Sequence, residues 1–247
     1  MRATAIEFRL RMAINAIIII LSFWAPWIEK WGIGSRISTL EWLALHLSRS
    51  GQVSFTVATP VVIVIGALIA AKAAILRVWG TAYLGPVTVI SSQMKAGAVM
   101  ADGPYRYLRN PLYLGLWGMV AAMGFIMPPT GALISLVLLT VFLIRLILGE
   151  EAFLTARLGE PYVAYLRTVP RLIPRVRTTL PHAGNKPQWL RAALSEVMPI
   201  GVFVALAFFS WSYDNRLMER VILISFGVSL VVRALTPGVL VSPAPPQ

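Results

Sequence analysis

The chain has no cysteine, only two histidines, and ten acidic residues against 22 Lys and Arg. Each shortage removes a class of function. Without cysteine there is no disulfide framework, no thiolate metal site and no cysteine nucleophile. His46 and His182 lie far apart, with no H-x-x-x-H or related ligand spacing, so no metal is expected. Charge is scarce altogether: 13% of the 247 residues are charged and 57% are hydrophobic, where a soluble globular domain carries roughly 25% charge. The chain therefore reads as a multi-spanning membrane protein. In a soluble protein the net charge of +12 would suggest a nucleic-acid partner. Here it fits basic loops beside anionic headgroups on the cytoplasmic side, and no nucleic acid is expected.

What the sequence does have is long uncharged runs. Met12 to Ile28 follows Arg2, Arg9 and Arg11. It is long and has no A-x-A cleavage site after it, so it reads as a retained helix with Asn15 and Pro26 near its ends, not as a signal peptide. Trp24, Trp27 and Trp31 form an aromatic belt at its far end. Thr39 to Leu47 puts Leu40, Leu43, Ala44 and Leu47 on one helical face. Ser38 or Thr39 can cap that helix, Glu41 falls in its first turn, and it is expected to lie flat on the membrane surface. Val53 to Ala71 is a second span, with Lys72 and Arg77 marking its exit. Gly80, Gly85, Pro86 and Gly97 interrupt Trp79 to Val99, which predicts an interfacial or partly re-entrant segment.

No charge falls between Asn110 and Ile144, and Pro128-Pro129-Thr130-Gly131 splits that run. Roughly 20 residues span a bilayer, so a helical hairpin is predicted, Pro111 to Met127 across and Gly131 to Leu148 back. Glu150 and Glu151 then open a surface helix that Gly159-Glu160-Pro161 breaks, and Pro161 suits the first turn of the next short helix. Thr178 to Lys186 reads as a linker. Val197 to Tyr213 is a fifth span, and Leu217 to about Leu235 a weaker sixth, cut short by Glu219, Arg220 and Arg233. The Pro-rich tail after Pro237 is expected to be disordered. The fold class expected is an all-α polytopic membrane helix bundle of about six transmembrane helices. Lys and Arg favour one side by roughly three to one, which places both termini in the cytoplasm.

The densest polar stretch is Gly103-Pro104-Tyr105-Arg106-Tyr107-Leu108-Arg109-Asn110-Pro111-Leu112-Tyr113-Leu114-Gly115, at the mouth of the hairpin. The hairpin brings it to the same surface as Glu150 to Pro174. Arg109, Asn110, Tyr113, Glu150 and Glu151 should therefore cluster. Tyr105, Tyr107 and Tyr113 suit interface anchors or the walls of a pocket. Glu150-Glu151 suits a solvated membrane exit or, beside aromatic rings, a cation site. Backbone near Gly97, Gly103 and Gly115 suits close approach to a ligand. Arg145 either snorkels to the interface or meets an acceptor within the membrane.

G-P-Y-R-Y-x-R-N-P-x-Y-x-G, a hairpin, E-E, then L-G-x-x-Y-x-x-Y and V-P-R-x-x-P, over about Val78 to Pro174, resembles the integral membrane methyltransferases. These include the isoprenylcysteine carboxyl methyltransferases and the related phospholipid N-methyltransferases. The resemblance implies S-adenosylmethionine bound at the cytoplasmic face and methyl transfer to a lipophilic acceptor, a membrane lipid or lipidated small molecule. It implies a cofactor pocket lined by Gln93, Gly97, Ala98, Val99, Met100, Tyr105, Arg109, Asn110, Pro111, Leu112, Tyr113, Glu150 and Glu151. Glu150 would take the cofactor's α-amino group, and V-P-R-x-x-P would be a lid. The family commonly has His where this chain has Asn110, an amide that does not titrate near neutral pH. The family's acceptor-linked Arg aligns nearer Leu146, with Arg145 beside it. Arg145 and Asn110 are thus the candidate catalytic positions. Three units follow: residues 1–77, a methyltransferase core at 78–174, and an added region at 175–247. The alternatives are a non-catalytic membrane protein that keeps the pocket for another ligand or partner, and a transporter.

Overall fold

The computed structural model describes residues 2–24, 37–51, 53–85, 88 and 101–235. These residues are helical, with no strand among them. In chain order the helices are α1 (Ala5–Arg9), α2 (Arg11–Phe23), α3 (Thr39–Arg49), α4 (Phe55–Leu84), α5 (Pro111–Gly124), α6 (Pro129–Leu158), α7 (Glu160–Thr168), α8 (Trp189–Ser195), α9 (Val197–Ser212) and α10 (Asn215–Leu235). A 3-10 turn at Gly103–Arg106 precedes α5.

The bundle is built around α4, which packs against α3, α5, α8 and α9. Small residues make the α4–α5 contact possible. A β-carbon on Gly115 would lie 2.5 Å from Arg77 Cγ and 3.2 Å from the Ala73 carbonyl, and one on Gly118 would lie 3.2 Å from Ala73 Cβ. Such small faces let membrane helices approach closely. Gly115 is thus committed to helix packing and not to a ligand. Gly103 is similarly committed, because the Tyr83 ring fills the space beside it.

Two expected boundaries move. The second span does not end at Lys72 and Arg77: α4 runs on to Leu84, and Trp79 to Leu84 are its last turns. Gly80 does not break it, because its bare Cα is where Leu112 packs. Gly85, at φ 87°, ends it, a conformation glycine adopts without steric cost. Glu150 and Glu151 do not open a new helix either. They lie inside α6, whose ladder has no break until Gly159 turns the chain at φ 64°. Gly149 is used from outside: Ala3 crosses there, donating its amide to the Arg145 carbonyl at 2.9 Å.

The short helix expected after the first span forms as α3, with Ser38 accepting from the Glu41 amide. Its first turn closes the far end of the hairpin. Thr39 N and Oγ1 both donate to the Met127 carbonyl at 2.8 Å, and Leu40 N donates to Phe125 O at 2.9 Å. These are carbonyls that the end of α5 leaves without intrahelical partners.

By length and composition α4 and α6, 30 residues each, can cross a membrane, and α8 with α9, bent by 72° at Glu196, counts as a broken third span. α2 and α5 are apolar but shorter. α10 has the length, at 21 residues, and carries Arg216, Glu219 and Arg220 near its start. Trp27, Trp31, Pro86, the Gln93 and Gly97–Met100 positions and the tail lie outside the described residues.

Candidate functional site

The hairpin does bring the two polar segments together. Tyr113, on the first turn of α5, donates its hydroxyl to Glu150 Oε2 at 2.9 Å. Glu151, one residue on, faces elsewhere. Its buried carboxylate takes Arg109 Nη1 at 3.0 Å and Arg171 Nη2 at 2.7 Å. Consecutive residues on a helix point about 100° apart, so the Glu pair divides. Glu151 fastens the segment after α7, and Glu150 takes the Tyr113 hydroxyl.

That segment, Val169 to Arg175, lies along the Tyr107–Asn110 stretch. Arg109 N donates to Pro170 O at 2.9 Å, Asn110 Nδ2 to Arg171 O at 3.1 Å, and Arg175 N to Tyr107 O at 3.1 Å. Asn110 precedes Pro111, the first residue of α5, and its side chain does not cap that helix. The amide is spent on holding the Val169–Arg175 strap.

Tyr105 is buried in the 3-10 turn, its carbonyl accepting the Tyr165 hydroxyl at 2.8 Å. Its own hydroxyl has no partner among the described residues. Burial holds that phenol well above its ordinary pKa, and the negative charge of Glu150 acts in the same direction. Arg109 Nε and Asn15 Oδ1 are likewise buried and without a hydrogen-bond partner among the described residues. Buried polar atoms are nearly always satisfied, so exceptions on Tyr105 and Arg109, both among the expected cofactor contacts, bear on what the site holds.

Arg145 is placed away from this cluster. Its Nη2 reaches both oxygens of Glu7, at 2.8 and 2.9 Å. Glu7 also closes a capping box with Thr4 at the start of α1. The pair ties the amino-terminal turn to α6.

A cleft opens beside the Tyr113–Glu150 bond. Among the described residues it is lined by Phe8, Arg11, Met12 and Asn15 from the α1–α2 side, by Arg77 of α4, by Leu112 and Leu116 of α5, and by Glu196. On another side Tyr113 meets an apolar groove formed by Trp117, Leu143, Ile144, Ile147 and Leu172. Arg77 clasps Glu196 through Nε at 2.6 Å and Nη2 at 2.9 Å, gives Nη1 to Leu112 O at 3.2 Å, and leaves Thr81 Oγ1 to reach Glu196 Oε1 at 2.7 Å.

Sequence reasoning missed Arg11, Asn15, Arg77 and Glu196. Arg11 and Arg77 look like membrane-boundary markers in a linear reading, and Glu196 stands just ahead of an apolar run. The available signal was an isolated carboxylate at the start of that run, which needs a cationic partner if buried. The expected linker is also docked. Asp102 accepts from the Ala183 and Asn185 amides and from Asn185 Nδ2, each at 2.9 Å. Arg106 donates to Leu180 O and meets His182 Nε2 at 2.7 Å, so His182 is more than a bystander in a loop. Among the described residues no group of His, Asp and Glu is arranged to hold a metal ion.

Residues 61–160 match the family model of the phospholipid methyltransferases. This segment, less than half of the chain, holds α5, all of α6, most of α4 and the Gly103–Tyr113 stretch. Among curated proteins and among solved structures no significant match was found. The match over residues 61–160 and the helices long and apolar enough to cross a membrane together point to an integral membrane protein.

Proposed function

We propose that this chain, with a phospholipid methyltransferase segment at its centre, transfers a methyl group from S-adenosylmethionine to a lipophilic acceptor dissolved in the membrane. The observation that carries the reading is the pair of orphaned buried atoms, Tyr105 OH and Arg109 Nε, on the stretch that also presents Tyr113 to Glu150. Buried polar atoms are nearly always satisfied, and a bound cofactor would supply partners for these two.

The residues fit the cofactor chemically. Glu150, oriented by the Tyr113 hydroxyl, suits an α-ammonium group through a charge-assisted hydrogen bond. Tyr105 and Arg109 offer donors, and a tyrosine ring face suits a sulfonium. When bound, the cofactor supplies an already activated methyl group. What remains for the protein is to align the acceptor and exclude water, which can lower a barrier by about 7–11 kcal/mol. A carboxylate acceptor needs no base, so Asn110 in place of the family's usual His is compatible with transfer. The Val169–Arg175 strap, held by Glu151, would cover the site from the cytoplasm. Both termini lie on that side in this reading, and α2, α5 and α10 complete a six-span bundle with α4, α6 and the bent α8–α9 pair.

Calorimetric titration of S-adenosylhomocysteine into the detergent-purified chain tests this. Micromolar binding, weakened in Glu150→Gln, is expected. Absence of binding to well-folded wild type in detergent and in lipid nanodiscs would leave a non-catalytic membrane protein as the better reading.

A further inference from the structure

The strap after α7 has an outer side that the site does not use. Its inner side is tied down. Glu151 holds Arg171, and bonds from Arg109 and Asn110 hold the Pro170 and Arg171 carbonyls. On the outer side stand Ile173, 82% exposed, and Val176, 94% exposed. They are the two most exposed large apolar side chains among the described residues. Single exposed apolar residues are ordinary. Here two lie three positions apart, interleaved with Arg171, Arg175 and Arg177, all of them exposed. Water gives no reason to set apolar tips and cations side by side, whereas a headgroup layer does.

The place of the strap says which medium that side meets. Leu133, Val137, Val141 and Ile144 are exposed along α6, at the spacing of one helical face. In a bilayer such a stripe meets lipid. Its last member, Ile144, lines the apolar groove beside Trp117 of α5, and Leu172 of the strap lines the same groove. The strap thus begins where the lipid-facing stripe ends. Ile173 follows Leu172 directly, so the exposed side of the strap carries the lipid-facing surface on into the headgroup layer. Apolar side chains there enter the acyl boundary, and arginines keep their heads at the level of the phosphates.

We propose that Ile173, Arg175, Val176 and Arg177 form a lipid-docking finger. The two apolar tips enter the bilayer in which the protein sits, and the two arginines take phosphates of anionic lipids beside them. Arg171 stays with Glu151 on the inner side. The finger needs only a bilayer and is independent of the methyltransferase reading. Its consequence is that lipid composition decides how firmly the strap lies on the Tyr107–Asn110 stretch. Each arginine at an anionic surface strengthens the attraction by about fivefold, and salt weakens it.

The chain has no cysteine, so Val176→Cys carries a single nitroxide label. The full chain is compared in nanodiscs of phosphatidylcholine and in nanodiscs of an equal mixture of phosphatidylcholine and phosphatidylglycerol. Collisions with oxygen, which concentrates in lipid, and with a water-soluble nickel chelate report the medium around the label. The expected label is reached by oxygen and shielded from nickel, with a docked-to-free ratio higher by about fivefold or more in the anionic discs. Arg175→Gln with Arg177→Gln should remove that gain, and Arg175→Lys with Arg177→Lys should keep most of it. A label reached by nickel in both discs would overturn the finger, because water then meets this side. So would a label shielded from both reagents, which marks a protein partner or a second copy. Equal docking in both discs, or a gain that survives Arg175→Gln with Arg177→Gln, would overturn it too, because the arginines then read no lipid charge. The unlabelled chain gives a second reading. Exchange of the Arg175 amide, bonded to the Tyr107 carbonyl, should slow by about fivefold in the anionic discs. Exchange at the same rate in both discs would overturn the coupling of lipid to strap.

Discussion

Arg77 and Glu196, 119 residues apart, form a two-pronged ion pair in which the carboxylate is 2% exposed. Arg77 belongs to the family-matched segment and Glu196 lies beyond it. The bond fastens the bent α8–α9 pair to α4, with Thr81 as a third hand on the carboxylate.

Removing one partner of a buried pair leaves a charge uncompensated, at a cost of about 3–5 kcal/mol. Glu196→Ala should lower the melting temperature in detergent by roughly 10 °C. The double variant Arg77→Met with Glu196→Leu should recover most of that loss, since an apolar pair of similar size is often neutral. Scanning fluorimetry on the three proteins measures it, and a double variant as unstable as the single one would sink the account.

Tyr113 and Glu150 should separate in binding. Glu150→Gln removes the charge that would face an ammonium, worth about 1.5–3 kcal/mol, so S-adenosylhomocysteine should bind roughly 10- to 150-fold more weakly. Tyr113→Phe removes only an orienting hydroxyl and should cost about tenfold or less. Equal losses would mean that the two act through folding.

Arg171 is 44% exposed, and its partner Glu151 9%. Exposed ion pairs contribute little to global stability, so Arg171→Ala should shift melting only slightly. Its effect is local. Amide exchange at Arg109 and Arg175, the two backbone ties between strap and polar stretch, should quicken by about tenfold.

Asp102 makes the docking of the Leu180–Asn185 segment acid-sensitive. Burial pushes its carboxyl up, but the Asn185 and Ala183 amides and the Asn185 side chain outweigh burial and hold it below its ordinary pKa. A depressed folded value means that its stabilisation is complete above the unfolded pKa of about 3.9 and is lost as pH falls through the folded one. Exchange at the Ala183 and Asn185 amides should therefore be flat from neutral pH to about pH 4, once intrinsic rates are divided out, and should rise below it. Asp102→Asn should raise exchange at neutral pH and remove the acid step.

Much of this was legible in the chain. Hydropathy and the Pro-Pro-Thr-Gly break located the α5–α6 hairpin, and its closure dictated that Tyr113 and Glu150 meet. The α3 cap was readable because Ser38 and Glu41 have the spacing the backbone demands. Two helix ends were not. A charge such as Arg77 marks a membrane boundary only when it is solvated, and here a carboxylate far along the chain neutralises it. Gly80 and Gly149 resemble helix breakers, yet each is a place where another element packs close. The division of labour between Glu150 and Glu151 was also hidden, because it depends on which partners the strap brings to each.

The unbroken length of α6 has a mechanical meaning. At 1.5 Å per residue its 30 residues make a rod of about 45 Å, longer than the hydrocarbon layer of about 30 Å. With no joint between the lipid-facing turns and Glu150, any tilt the bilayer imposes rotates Glu150 and Glu151 as one. A change of tilt in that rod would carry both carboxylates through the same arc, so their position is coupled to the thickness of the lipid around it.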